Sequence, residues 1–420
     1  MYETQLRCLN CKTLYELSRM FEGCPACSTP DFKANVVVEY DYEQIKEVIT
    51  KKILQRRAPG IVKYKEFLPI TSETAVTLGE GGTPLLHCPT LGESMEMDNL
   101  FVKDESRNPT HTFKDRSAAV GVSIAQQFGS PYIVAGGGNT SAAAAAYSAK
   151  TNITTISFEK KSESIQAILQ TLTCGGKIVY LKNYEDRYNL MKQCVDSLHA
   201  HPVSSYTPSP TGDPFSEEGR KTVSYEICEQ LNWNVPDIVV VPTGMGFGLY
   251  GIWQGFVDFR QVGLIDSLPR MVAVESAAGG SLTKTFETNA EKIIKVPTRN
   301  TVARHAIVPK VSYQGYRAVK DSEGTAVTVK DCEIMEAVFC LARTEGIYSS
   351  TTSAASIAAV KKLRKTGYIH TDDTLVCVIT GGGLKDPDII QGALPEFPPP
   401  IGGDWDIFTS TLKKYYRISL

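Results

Sequence analysis

Asn108-Pro109-Thr110-His111-Thr112-Phe113-Lys114-Asp115-Arg116 sets a single lysine between a Pro-led turn and the start of a helix. Pro109 and the hydroxyls of Thr110 and Thr112 suit a strand-to-helix corner. A helix is expected from Phe113 onward, through Ser117 to Val122, and it would hold the Lys114 amine rigidly at its first turn. There the helix dipole disfavours added positive charge, so the amine titrates low and becomes a usable nucleophile or base. Alone, a lysine flanked by Asp115 and Arg116 reads as a solvated surface residue. Three other segments decide against that reading.

Working outward, short apolar runs alternate with amphipathic stretches. Strands are expected at Leu100–Lys103, Tyr132–Ala135, Thr154–Phe158, Ile178–Leu181, Ile238–Pro242, Met271–Glu275 and Leu375–Thr380. Helices are expected at Ser216–Gln230, Asp331–Thr344 and Ala354–Lys365. Near-continuous apolar strands separated by helices predict an α/β fold with parallel sheets covered on both faces. The 420 residues suffice for two lobes. Upstream lie a run of strand formers (Ala34 to Tyr42), a basic helical stretch (Glu43 to Arg57) and a tight turn, Gly79-Glu80-Gly81-Gly82-Thr83-Pro84-Leu85. Pro398 to Gly403 marks a loose C-terminal tail.

In parallel sheets ligands bind at the carboxyl ends of the strands. The first suggestive strand end is Ala135-Gly136-Gly137-Gly138-Asn139-Thr140-Ser141. Thr140 and Ser141 are expected to cap a helix through Ala142–Ala149, whose N-terminal N–H groups suit a carboxylate. Asn139 adds a neutral hydrogen-bonding side chain; a plain Gly-rich turn is the alternative. The second is Gly244-Met245-Gly246-Phe247-Gly248, following Asp237 to Pro242, a backbone cradle for a phosphate. Gly246-Phe247-Gly248-Leu249-Tyr250-Gly251 also fits the dinucleotide fingerprint, with Glu275 near the place of its ribose-binding acid. Against that reading, Pro242 to Met245 separate the strand from the first glycine; an unliganded turn stays open too. The third is Thr380-Gly381-Gly382-Gly383-Leu384-Lys385-Asp386. A Thr380 hydroxyl beside a ring nitrogen can donate or accept but cannot enforce protonation as a carboxylate would. A simple strand-end turn is the competing reading.

Eleven cysteines are unevenly spread. Cys8, Cys11, Cys24 and Cys27 form C-x2-C-x12-C-x2-C, two knuckles able to converge on a structural Zn2+. Disulfide pairing is the alternative. Cys88, Cys174, Cys194, Cys228, Cys332, Cys340 and Cys377 are scattered and read as ordinary buried thiols. The ribbon has few basic residues, so it reads as a structural or docking appendage. The formal net charge of -2 points to neither nucleic acid nor a membrane surface. Neither a signal peptide nor a membrane-length apolar run is visible, and the expectation is a cytoplasmic protein.

Together, Lys114 and the three strand ends ask for an aldehyde, a phosphate and a polar aromatic ring, which is pyridoxal 5'-phosphate. On Gly79–Leu85, Lys103-Asp104-Glu105-Ser106, Asn108–Arg116, Gly138-Asn139-Thr140-Ser141-Ala142, the loop at 243–248, Glu345-Gly346 and Thr380–Asp386, the chain resembles the threonine synthase family. That family lies within the tryptophan-synthase-β-like, fold type II pyridoxal-phosphate enzymes. The resemblance spans roughly Tyr64 to Pro387, and the four-cysteine ribbon also looks like one that many bacterial and archaeal members carry.

The resemblance implies a two-lobed fold with a small N-terminal zinc ribbon at 1–34. The large cofactor lobe would comprise 35–125 and 216–397, the smaller mobile lobe 126–215, and the tail 398–420. It implies that Lys114 forms the Schiff base with the cofactor, beside Phe113. Asn139 would bond the phenolic oxygen, Gly244, Met245, Gly246, Phe247 and Gly248 would hold the phosphate, and Thr380 would face the ring nitrogen. Gly138, Thr140, Ser141 and Arg116 are the expected substrate contacts, with Thr112 and Lys103 as further candidates for a second anion site. A structural ion pair of Arg116 with Asp115 or Glu105 is the alternative. The implied activity is elimination and replacement on an amino acid by a homodimer, with conversion of O-phosphohomoserine and water to threonine and phosphate as the first expectation.

Three departures lie on the substrate side. Gly136 and Gly137 replace the family's hydroxyl residues, Gly382 replaces a His, and Glu345-Gly346-Ile347-Tyr348-Ser349-Ser350-Thr351-Thr352-Ser353 lacks the Glu-Pro pair. These departures admit relatives of the cysteate synthase, diaminopropionate ammonia-lyase or threonine dehydratase kind. A catalytically silent ligand-binding homologue is the reading from another class.

Overall fold

The computed structural model describes residues 2–161 and 163–419. They fall into two compact units, Met1–Asp386 and Pro387–Leu420. Three sheets build the first unit.

The largest sheet runs Thr325–Val329, Arg270–Ser276, Ile238–Pro242, Thr374–Ile379, Asn99–Asp104 and Leu85–His87 in spatial order. All neighbours are parallel except the last pair. Ile238 to Val241 are fully buried, as a strand covered on both faces requires. Each such aliphatic side chain contributes about 1.5–3 kcal/mol relative to exposure. The second sheet is wholly parallel, in the order Lys177–Leu181, Thr154–Lys160, Tyr132–Ala135 and His201–Pro202. Helices Lys114–Gln127, Gly138–Ser148, Phe247–Gln261, Asp331–Glu345 and Thr351–Lys365 are the main connections. The α/β parallel-sheet fold is as the alternation of apolar runs predicts.

Four expectations are modified. The ribbon does not end at residue 34: Val36–Tyr40 pairs antiparallel with Glu3–Cys8 and completes its three-stranded sheet. Its Leu6, Val36, Val38 and Tyr40 join the main apolar core. The basic stretch at 43–57 is two short helices, Tyr42–Val48 and Lys51–Gln55, because the Thr50 hydroxyl accepts the Ile53 N–H and starts a new one. The tail is not loose throughout, since Asp404 caps a helix over Trp405–Thr411. Finally, Cys332 is exposed and Cys174, Cys194 and Cys340 are half-buried, so only Cys88, Cys228 and Cys377 of the scattered seven are buried thiols.

Candidate active site

Lys114 is the first residue of its helix, after a corner that the neighbouring threonines fix. Thr110 donates its N–H and hydroxyl to the Asp115 carboxylate at 2.8 and 2.9 Å, and Thr112 Oγ1 accepts the Lys114 N–H at 3.2 Å. The Phe113 N–H donates to the Thr380 carbonyl at 2.9 Å, tying the lysine corner to the end of strand Thr374–Ile379. Burial, with the Arg220 guanidinium second, lowers the Lys114 amine to about 7. The sequence predicts that direction, but desolvation is the first cause and not the helix dipole.

The Phe113 ring gathers the cofactor-side groups. Its centre lies 5.2 Å from Lys114 Nζ and 5.5 Å from Arg220 Cζ. A Cβ at Gly248 would stand 2.5 Å from the ring, so only glycine lets this loop approach it. The loop Gly244–Gly248 enters helix Phe247–Gln261 through Gly246, with Met245 fixed by its carbonyl to the Ser312 N–H. Arg220 is buried beside it, ion-paired to Glu217 and donating to Ser117 Oγ at 3.0 Å. Arg220 Nε is buried without a partner, and burial lowers the guanidinium to about 9. An unsatisfied cationic donor beside a glycine cradle fits a phosphate.

Thr380 Oγ1 is 3.1 Å from Ser353 Oγ, which also accepts the Gly381 N–H at 2.8 Å. The end of strand Thr374–Ile379 therefore carries a hydroxyl pair, and no carboxylate among the described residues bonds either member. Lysine, cradle, unpaired guanidinium and hydroxyl pair together fit pyridoxal phosphate.

The substrate side departs from expectation. Helix Gly138–Ser148 starts one turn earlier than predicted, with Gly137 and not Thr140 or Ser141 as its cap. Ser141 is buried, and its Oγ accepts the Gly137 N–H at 3.0 Å. The Gly138 N–H is given to Glu159. Asn139 and Thr140 are half-buried at the helix start. His305 links this loop to the cradle: a Cβ at Gly138 would stand 3.3 Å from its Cε1, and one at Gly244 would stand 2.4 Å from its carbonyl.

Arg116 is not a substrate contact. It is fully buried, and its Nε, Nη1 and Nη2 all donate within the protein, to Glu105, Glu226, Thr222 and Thr83 at 2.6–3.1 Å. The partners are Glu105, as the structural alternative holds, and Glu226; Asp115 is not among them. Lys103 is equally enclosed, donating to Thr83, Glu226 and Gln230. Thr112 is buried and used by the lysine corner. Arg220, Ser353, Glu159 and His305 are site residues that sequence reasoning misses. Only Ser353 had a signal, as part of the unusual Ser349–Ser353 run.

The four ribbon cysteines converge, with their sulfurs all within 4.8 Å of one another. Cys8 and Cys27 sulfurs are 3.5 Å apart and those of Cys11 and Cys24 3.6 Å. Four thiolates around Zn2+ at about 2.3 Å stand roughly 3.8 Å apart, so the cluster fits a tetrahedral ion. No helix among the described residues is long and apolar enough to cross a membrane.

Comparison with known proteins agrees with this geometry. Residues 76–381 match the family model described as "Pyridoxal-phosphate dependent enzyme". Threonine synthase of Methanocaldococcus jannaschii is 36% identical over 414 residues, covering 97% of this chain and 99% of that protein. Threonine synthase of Mycobacterium tuberculosis is 33% identical, covering 81% and 92%. Among solved structures, maize serine racemase superposes with TM-score 0.63 at 19% identity, over 74% of this chain and 91% of that one. Escherichia coli diaminopropionate ammonia lyase does so with TM-score 0.63 at 16% identity, over 75% and 88%.

Proposed function

We propose that this chain, which belongs to the threonine synthase family of pyridoxal-phosphate-dependent enzymes, converts O-phosphohomoserine and water to threonine and phosphate. Membership makes it a pyridoxal-phosphate-dependent lyase that works by elimination and replacement. The substrate is our reading, supported by the name of a relative matched along nearly the whole chain. The single observation that carries the chemistry is the near-neutral Lys114 amine beside the Arg220-lined glycine cradle.

When bound, pyridoxal phosphate supplies an electron sink for the bond broken next to the amino-acid α-carbon. Gly244 to Gly248 and Arg220 would hold its phosphate, Asn139 its phenolic oxygen, and Thr380 with Ser353 its ring nitrogen. Because that pair is two hydroxyls, it accepts or donates without forcing a proton onto the nitrogen. Lys114, free and near-neutral, takes the substrate α-proton and returns a proton to carbon later in the reaction. The N–H groups of Asn139 and Thr140 at the start of helix Gly138–Ser148 hold the α-carboxylate. We assign zinc to the ribbon cysteines, one ion per chain, and a homodimeric assembly. Closure of the 126–215 lobe over the substrate belongs to the same reading.

A second reading has its own support. Gly136 and Gly137, with Glu159 beside them, make the substrate side unlike the family pattern. This favours a related enzyme acting on another β- or γ-substituted amino acid.

The test is a panel of O-phosphohomoserine, O-phosphoserine, diaminopropionate, serine and threonine given to the holoenzyme. Threonine and phosphate should form from O-phosphohomoserine and vanish in Lys114→Ala, together with the borohydride-sensitive visible absorbance. Turnover of another member alone selects the second reading. If no member of the panel changes the absorbance, the enzymatic proposal is lost.

A further inference from the structure

We propose that Glu159 makes α-carboxylate binding proton-linked: it already holds one N–H at the terminus of helix Gly138–Ser148, and seating a ligand carboxylate there drives a proton from solvent onto Glu159 wherever that side chain is still ionised. The inference rests on the reading above that the substrate's α-carboxylate sits at this helix start.

Four N–H groups at a helix start lack acceptors within the helix. Here Gly137 gives its N–H to Ser141 Oγ at 3.0 Å. Gly138 shares its N–H between both oxygens of Glu159, 3.2 Å from each. Those of Asn139 and Thr140 are left for a ligand, so an incoming carboxylate must lie one residue along from an internal one.

Glu159 cannot swing into solvent to avoid it. Its side chain is fully buried, and Ser157 Oγ, 2.6 Å from Glu159 Oε1, is also 2.6 Å from Ser141 Oγ. The carboxylate occupies space that only glycine leaves open: a Cβ at Gly137, which has φ +88°, would stand 2.4 Å from Glu159 Oε2. The departure from the family's hydroxyl residues thus has a partner, a carboxylate reaching across from strand Thr154–Lys160.

The surroundings favour protonation over escape. Glu163 faces the same loop, with Oε1 3.3 Å from where a Gly138 Cβ would stand, and His305 lies at the same distance from that point. Tyr184 donates its hydroxyl to the Gly136 carbonyl, and the Arg187 side chain stands 3.7 Å from where a Gly136 Cβ would be. Lys160 is the charged neighbour on the Glu159 strand. Burial first, with the Glu163 charge adding to it, pushes Glu159 up to about 7 despite the Ser157 and Gly138 hydrogen bonds and the Lys160 charge that favour the ion. A second carboxylate a few ångströms away cannot also be ionised cheaply, so the pair takes up a proton.

The experiment measures binding of 2-amino-5-phosphonopentanoate, the phosphonate isostere of O-phosphohomoserine, to holoenzyme by absorbance from pH 6 to 8.5. Titration of the ligand's own amine and phosphonate is common to wild type and Glu159→Gln and cancels in the ratio of their Kd values. That ratio should be near one at pH 6 and rise to about tenfold in favour of Glu159→Gln at pH 8. Ser157→Ala, which removes a hydrogen bond to the ion, should move the midpoint of the wild-type dependence to higher pH, and it serves if Glu159→Gln does not fold. A ratio that stays flat with pH, or a midpoint that Ser157→Ala leaves in place, overturns the proton linkage while the binding reading survives. Failure of the analogue and of every amino acid in the panel to bind overturns the reading of the site, and this inference with it.

Discussion

Arg220 and Arg116 show how little a residue's name says about its work. Both are buried arginines near the lysine corner, yet one has every nitrogen satisfied and the other keeps Nε unpaired beside a glycine cradle. Charged hydrogen bonds contribute about 1.5–3 kcal/mol each, so Arg220→Gln should weaken pyridoxal phosphate binding roughly tenfold to a hundredfold. Binding of pyridoxal, which has no phosphate, should change little; an equal loss for both cofactors would show that Arg220 does not hold the phosphate. The same substitution removes a positive charge that lowers Lys114. A lysine base works when neutral, so activity rises as pH rises through its pKa. In Arg220→Gln that rising limb should move to higher pH, read from kcat against pH at saturating cofactor.

Element geometry explains why one member of the decisive motif serves the lysine's site and another does not. Arg116 follows Lys114 by two positions, about 200° around an α-helix, so it points to the opposite face. That face meets Glu105, at the end of strand Asn99–Asp104, and Glu226 on helix Thr222–Gln230. Removing one partner from such a buried set leaves uncompensated charge and costs about 3–5 kcal/mol. Arg116→Met should therefore lose stability of that order in urea unfolding, with KM unchanged at low denaturant. Full stability with a raised KM would return Arg116 to the substrate. The seven expected strands were legible within about two residues, because buried parallel strands are continuous apolar runs, and Tyr132–Ala135 and Ile238–Pro242 coincide with expectation; Leu85–His87, His201–Pro202 and Thr325–Val329, short or partly polar, were not anticipated. The three glycine-ended loops were legible because backbone approach needs a residue type. Glu159 and Arg220 were not, since neither lies in a motif and each reaches the site from a different element; Ser353 showed only as part of the unusual Ser349–Ser353 run. The sheet order was likewise hidden, being set by crossovers that no local pattern encodes.

For the molecule as a whole, the ribbon ties distant parts of the chain together. Arg19 donates to the Ala200 carbonyl, Thr211 to the Phe21 carbonyl at 3.0 Å, and Arg317 to the Leu9 carbonyl at 3.4 Å. Metal sites contribute their binding energy to folding. Chelation should thus remove about one zinc per chain and lower Tm of the whole protein in a single transition. An unchanged Tm after complete removal, verified by elemental analysis, would show the ribbon to be thermodynamically separate. The same contacts impose an order in time. Leu9 and its acceptor carbonyl leave the ribosome 308 residues before Arg317. At 5–20 residues per second that is roughly 15–60 s, a period in which four thiols wait on an unfinished chain. Metal capture early in synthesis would shield those sulfurs from oxidation during that wait, so cellular zinc supply would govern how much nascent chain matures as well as how stable the finished protein is.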